Sequence, residues 1–336
     1  MSTQIDWLLE EDIENPGVRY FALADLLKRP TDDPEVVEAR QSVMEQGPVP
    51  VILGTQDLEG FWEEPGTGYY PKYRGTVWSV IYLAQLGADP ADPRVRAAGE
   101  YLLDNARTTN GVFSMTGTPA GNIFCLAGNL GAALLDLGFA GDERLQQALD
   151  LMARFTTGED IASADERRAP IRYLKSGACG PGFCCSANNR LPCAWGAVKV
   201  LRALARVPEA QRFPAMQSAL ETALGFLFSV DPATANYPAG YSDKPSRSWF
   251  RFGFPLFYVT DVLQTAEALT EAGYGGDPRL AATYDLILSK RDGAGRWKME
   301  YAYAGKTWID VEERGESSKW VTLRALRVLK AGGIQA

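Results

Sequence analysis

The sequence predicts an all-α fold, an (α/α)6 toroid with six inner and about six outer helices. One observation is a unit that recurs along the 336 residues: a Gly-aromatic loop, an apolar helix and an Asp-capped amphipathic helix. The loops read Gly60-Phe61-Trp62, Gly111-Val112-Phe113, Gly240-Tyr241 and Gly295-Arg296-Trp297, and three of the second helices open DPRVRAAGEYLLDNA, DERLQQALDLMARF and DPRLAATYDLILSK. A repeat at this spacing specifies a helical array in which neighbouring units bury a shared core. The other observation is the alternation of connections. Inner-to-outer links are short (GADPA at 87–91, GFAG at 138–141, GYGG at 273–276), whereas outer-to-inner links are long, over 47–74, 157–190 and 291–316.

The inner helices are predicted over 16–28, 75–87, 122–138, 192–206, 253–272 and 317–330, where dense apolar runs are broken by small residues. The outer ones are predicted over 35–46, 93–106, 142–156, 211–229 and 278–290, with the mixed pattern of a half-exposed helix, and Ile5 to Glu10 supplies a sixth. Asp33-Pro34, Asp92-Pro93 and Asp277-Pro278 each set an N-cap carboxylate before a proline at the first helical position. Six inner helices and many inner aromatics favour a closed ring over an open solenoid. The long loops gather where the inner helices begin, and that end is expected to carry function.

No linker or charge block splits the chain, so one domain over 1–336 is expected. The apolar fraction is 46% and the aromatic fraction 11%, enough for a large core and a lined cavity. A net charge of −8 without Lys/Arg clusters argues against nucleic acid as a partner. No stretch is long and apolar enough for a membrane span, and the stretch MSTQIDWLLEEDIENPG is acidic where a signal peptide is basic. A cytoplasmic location is expected.

The repeat resembles the prenyltransferase and squalene-oxidase repeat of terpenoid cyclases and protein prenyltransferase β-subunits. NPGVRYFALADLL, CLAGN at 125–129, KPSRSWFRFGFPLFYVTD at 244–261, GRWKMEY and ESSKWVTLRALRVLK resemble a bacterial and archaeal branch of that class. The resemblance spans nearly the whole chain and implies the toroid; activity does not follow from fold alone. The DxDD acid of class II cyclases is missing, and Asp32-Asp33-Pro34-Glu35 reads as a helix cap. Protein prenyltransferases hold zinc with Asp, Cys and His, and this chain has no histidine, which also removes every imidazole-based mechanism.

Two places hold all five cysteines: Cys125 at the start of the third inner helix, and Cys179, Cys184, Cys185 and Cys193 running into the fourth. CGPGFCCSANNRLPC carries Gly and Pro turns that let thiolates converge, and CLAGN and CAWGA start adjacent inner helices. Four of these sulfurs suit a tetrahedral zinc site. An iron–sulfur cluster, buried inert thiols, and a thiolate nucleophile at Cys125 or Cys193 are the other readings. Asp261, in the apolar context FPLFYVTDVLQ, is the best carboxylate candidate for acid/base work, with pairing to Arg251 or Lys319 as its structural alternative. Trp78, Trp195, Trp249, Tyr258 and Trp320, near inner-helix starts, are expected to line an apolar pocket, with Arg247, Arg251 and Lys319 at its mouth. The leading expectation is a zinc-dependent hydrolase acting on a small, largely apolar ester. The alternatives are a prenyltransferase or terpenoid-cyclase-type enzyme, and a non-catalytic isoprenoid or lipid carrier.

Overall fold

Asp-capped helix starts organise the chain as expected. The carboxylates of Asp33, Asp92, Asp142 and Asp277 accept from the backbone N–H groups of Glu35, Arg94, Arg144 and Arg279, satisfying donors that a helix start leaves free. The computed structural model describes residues 3–163, 165–169, 172 and 179–335, so 164, 170–171 and 173–178 of the long predicted link lie outside the described residues.

In chain order the helices are α1 (Thr3–Leu9), α2 (Pro16–Phe21, continued by a π turn over Ala22–Leu26), α3 (Pro34–Glu45), α4 (Pro48–Leu53), α5 (Thr76–Leu86), α6 (Pro93–Asn105) and α7 (Phe124–Asp136). They continue as α8 (Glu143–Thr157), α9 (Ala194–Arg206), α10 (Pro214–Leu227), α11 (Val262–Leu269, continued by a π turn over Thr270–Tyr274), α12 (Ala281–Ser289) and α13 (Lys319–Ala331). Inner helices α2, α5, α7, α9, α11 and α13 form the ring of an (α/α)6 toroid. α3, α6, α8, α10, α12 and α1 surround it, and α4 is an additional short helix in the 47–74 link. Among the described residues the only strands are Cys179–Gly180 and Cys184–Cys185, paired antiparallel.

The ring closes through small residues. A Cβ on Gly17 of α2 would lie 2.3 Å from the Leu86 carbonyl oxygen of α5 and 2.8 Å from the Trp320 ring of α13, so only glycine lets the first and last inner helices meet there. A Cβ on Gly128 of α7 would lie 2.4 Å from the Lys199 backbone of α9, a similarly close crossing. Among the described residues no helix is long and apolar enough to cross a membrane.

The fifth inner helix differs from expectation. Helix is predicted from 253, yet α11 starts at Val262. Pro255 lacks an N–H and biases the residue before it away from helix, and the Asp261 carboxylate caps α11 by accepting from the Gln264 N–H at 2.6 Å. The displaced residues Gly253–Thr260 instead thread into the ring as a plug. Gln85 of α5 donates to the Leu256 carbonyl and accepts from its N–H, both at 2.7 Å, and Asn129 of α7 donates to the Phe257 carbonyl at 2.9 Å. These inner-helix amides give the buried plug backbone the partners it must have. The Phe254 ring stacks on Trp320 at 4.3 Å.

One guanidinium fastens this arrangement. Arg324 of α13, 2% exposed, donates from Nη1 and Nη2 to both Asp261 oxygens at 3.1 and 3.0 Å, from Nε and Nη2 to Glu267 at 3.0 and 2.8 Å, and from Nη1 to the Gly253 carbonyl at 2.7 Å. Asp261 therefore pairs with Arg324, not with Arg251 or Lys319. Removing one member of a buried ionic network leaves uncompensated charge, at about 3–5 kcal/mol. Arg324→Met is expected to lower the urea-unfolding free energy by about that amount, and combining it with Asp261→Asn and Glu267→Gln to recover much of the loss. An Arg324→Met protein as stable as wild type contradicts the clamp.

Candidate functional site

The end of the ring where the inner helices begin is filled, not open. The buried Trp78 ring packs edge-on to Phe257 at 5.5 Å and Tyr258 at 5.0 Å, and its indole N–H donates to the Tyr69 carbonyl at 2.7 Å. Tyr258 donates to the Tyr69 hydroxyl at 2.8 Å, while Tyr73 and Tyr303 pack on Phe257 at 5.5 and 4.9 Å. The long loops brace one another across this end: Trp308 donates to the Arg74 carbonyl at 3.0 Å and Tyr82 to the Ile309 carbonyl at 3.3 Å. Their length is spent on closing the ring.

At the opposite end, where the inner helices finish, a cavity of about 770 Å³ is open. Phe254 and Leu256 of the plug lie along it, with Tyr20, Phe21 and Trp320 beside them. Around this apolar wall stand seven cations, Lys28, Arg40, Arg202, Arg206, Arg324, Arg327 and Lys330, and four carboxylates, Asp25, Asp136, Glu267 and Glu271. The lining thus carries an excess of three positive charges in a chain whose net charge is −8.

The ion pairs here are specific. Arg206 donates to Asp136 at 3.0 Å and to both Glu271 oxygens, and Arg202 Nε lies 3.5 Å from Glu271 without a hydrogen bond. Burial alone would push the Glu271 carboxyl up, but Arg206 and Arg202 outweigh it and hold the group below the usual range. Arg327 pairs with Asp25 and lies over the Phe21 ring at 4.6 Å, and Arg40 donates to the Tyr20 hydroxyl. The Nε–H groups of Arg40, Arg202 and Arg327 are buried and find no acceptor among the described residues.

The predicted site residues divide between the two ends. Trp320 lines the cavity, its indole N–H held by Asn15 at 2.8 Å. Trp78 and Tyr258 belong to the filled end, Trp195 packs edge-on to Trp249 at 6.3 Å, and Arg251 is exposed. Asp261 is 3% exposed, with its oxygens taken by Arg324 and by the N–H groups of Gln264 and Gly253. The segments that carry the cysteines lie together: α7, with Cys125 in its first turn, crosses closely at Gly128 over α9, whose N-cap residue is Cys193, and Cys179 faces Cys185 across the strand pair. The cavity residues Tyr20, Phe21, Arg40, Arg202, Arg206 and Arg327 were not singled out from sequence. For Arg202, Arg206 and Arg327 the signal was arginines recurring on otherwise apolar inner helices, whereas Arg40 lies on the outer helix α3.

Lys199 of α9 is fully buried and donates to Gln264. Burial, reinforced by Arg202, pulls its amine down to about 7 from the ordinary 10.5 of a lysine. Because the folded value is the lower one, the unfolded chain binds the extra proton between these values, so this group's penalty is full below pH 7 and fades as pH rises toward 10.5. Lys199→Met is therefore expected to be more stable than wild type at pH 7, by a few kcal/mol, with the gap narrowing by pH 10 in thermal or chemical unfolding. A gap that does not change with pH contradicts the buried neutral amine.

The expected zinc-dependent hydrolase is corrected by this geometry. Among the described residues, which include all five cysteines, no three His, Cys, Asp or Glu side chains stand as a metal-ligand set, and Asp261 is committed to Arg324 and to capping α11. No family model and no curated protein matches the sequence. Solved structures similar to it include a substituted form of the type II terpene cyclase MstE from Scytonema in complex with geranylgeranyl dihydroxybenzoate (substrate), at 17% identity over 86% of this chain and 72% of that one, with a TM-score of 0.46. Apo MstE from Scytonema aligns at 15% identity over 85% and 96% of the two chains, with a TM-score of 0.32. A second substituted MstE with the same substrate aligns at 15% over 85% and 95%, with a TM-score of 0.31.

Proposed function

We propose that the cavity at the C-terminal ends of the inner helices binds an isoprenoid-type molecule with an anionic end. The apolar chain lies along Phe21, Phe254, Leu256 and Trp320, and the anion meets Arg202, Arg206 and Arg327. The observation that carries this reading is the local excess of three positive charges beside an aromatic wall in an acidic protein. Guanidinium groups suit phosphate and carboxylate oxygens, and 770 Å³ falls in the range that encloses a ligand of this size.

A second reading, that the bound molecule is turned over as in a terpenoid-type enzyme, is favoured by the aromatic faces beside the cations. If the anionic end is an allylic diphosphate, its departure with the C–O electron pair leaves a carbocation that the Trp320 and Phe254 rings stabilise, while the guanidinium groups stabilise the leaving diphosphate. Protonation of an alkene has less support, because the cavity carboxylates each face an arginine. Glu312, whose carboxyl burial lifts to about 7, lies outside the cavity and accepts from Ser318 and the Lys319 N–H.

Calorimetric titration tests the binding reading with farnesyl diphosphate, farnesol and inorganic diphosphate as probes. Farnesyl diphosphate is expected to bind at least about tenfold more tightly than either half, weakening with salt. Arg202→Gln combined with Arg327→Gln is expected to cost about tenfold or more. Farnesol binding as tightly as its diphosphate, or an unaffected double variant, contradicts the assignment. Hydrocarbon or alcohol products released from farnesyl diphosphate select turnover over carriage.

A further inference from the structure

Four arginines at the cavity are matched by its four carboxylates. Arg327 pairs with Asp25, Arg206 with Asp136 and Glu271, and Arg324 with Glu267, while Arg202 Nε lies 3.5 Å from Glu271. The cations left over are Lys28, Arg40 and Lys330, none of which pairs with a carboxylate among the described residues. The excess positive charge of the cavity is therefore theirs.

All three attach to the end of α2. Lys28 is the second residue beyond its π turn, Arg40 of the neighbouring outer helix α3 donates to the Tyr20 hydroxyl, and Lys330 in the last turn of α13 donates to the Leu26 carbonyl. In the ring order α2, α5, α7, α9, α11, α13, helix α9 stands opposite α2. Arg202 and Arg206 of α9 thus line the cavity on the other side of its aromatic wall.

The donors on the α2 side are positioned. The Arg40 guanidinium lies over the Tyr20 ring at 4.8 Å, and its Nε–H is buried without an acceptor among the described residues. Lys330 uses one of its three ammonium donors on Leu26. Lys28 adopts a φ of +54°, just past a helix end, where glycine is the usual residue. Glycine would make that turn more easily, and the lysine adds a charge at the lip of the cavity. Like charges gathered without a counter-charge repel one another, and a bound oxyanion relieves that repulsion.

We propose that Lys28, Arg40 and Lys330 form a second oxyanion subsite, which holds a phosphate or carboxylate group while Arg202, Arg206 and Arg327 hold the first. The first anion is that of the function proposed above; the second subsite rests on the three unpaired cations alone. Its occupant is either the far end of an apolar molecule that is anionic at both ends or a separate phosphate beside the isoprenoid diphosphate.

Calorimetric titration of the wild-type protein and of a Lys28→Gln, Arg40→Gln, Lys330→Gln triple variant tests this. Inorganic diphosphate is expected to bind the wild type, and the triple variant to weaken it at least about tenfold. Hexadecanedioate binding about tenfold more tightly than hexadecanoate, with the difference lost in the triple variant, identifies a two-ended ligand. Inorganic diphosphate binding to protein already saturated with farnesyl diphosphate identifies a separate anion. Equal affinity of the wild type and the triple variant for both inorganic diphosphate and hexadecanedioate overturns the subsite, whatever farnesyl diphosphate does. Diphosphate binding that needs the three cations in a protein that ignores farnesyl diphosphate supports the subsite and sinks only the isoprenoid reading. Lys28 and Lys330 are exposed, so a Lys28→Gln, Lys330→Gln double variant, expected to weaken diphosphate severalfold, decides the matter if the triple variant fails to fold.

Discussion

The Arg324 guanidinium is the interaction on which the remaining architecture depends. Its Nε and both terminal nitrogens are engaged by two carboxylates and one backbone carbonyl, with essentially no solvent contact. Burying three charges is expensive, and such a network persists only when every donor is satisfied. What it secures here is geometric. Asp261 is held where it must start α11, Gly253 is held where the chain turns into the ring, and α13 is tied to α11, so one side chain joins the last inner helix to the plug.

The plug determines which end of the toroid is available. Once Gly253–Thr260 enters the ring, Phe257 and Tyr258 complete the aromatic cluster around Trp78 and close the end where the inner helices begin. Phe254 and Leu256 then become the floor of the open end. The helix termini found there are C-termini, whose dipoles favour cations. Arg206 and Lys330 in the last turns of α9 and α13 are consistent with that preference, and with Arg202 and Arg327 one turn earlier they also give the cavity its charge.

Much of the fold was legible because local signals agreed with the global one. Asp33, Asp92 and Asp277 before proline mark real starts, and the short inner-to-outer links fall where predicted. The 253–261 segment was misread because its apolar density matches a buried helix, and periodicity does not separate that from a chain threaded through a core. Pro255 and the N-cap potential of Asp261 were the correcting signals. The site was less legible. Loop length pointed to the end where the inner helices begin, but whether a long loop builds a mouth or a stopper depends on tertiary packing. The segments that carry the cysteines lie side by side where α7 and α9 cross, yet among the described residues no three His, Cys, Asp or Glu side chains stand as a metal-ligand set.

The central claim is that ligand enters where the inner helices end, over Phe254 and Trp320, and not where they begin. Photoaffinity labelling with a benzophenone-bearing isoprenoid diphosphate, followed by peptide sequencing, tests it most directly. Labelled residues within 16–28, 252–257 and 319–331, competed by farnesyl diphosphate, are the predicted result. Competed labelling concentrated around Trp195 and Trp249 instead would place the binding site at the opposite end of the ring and contradict the account.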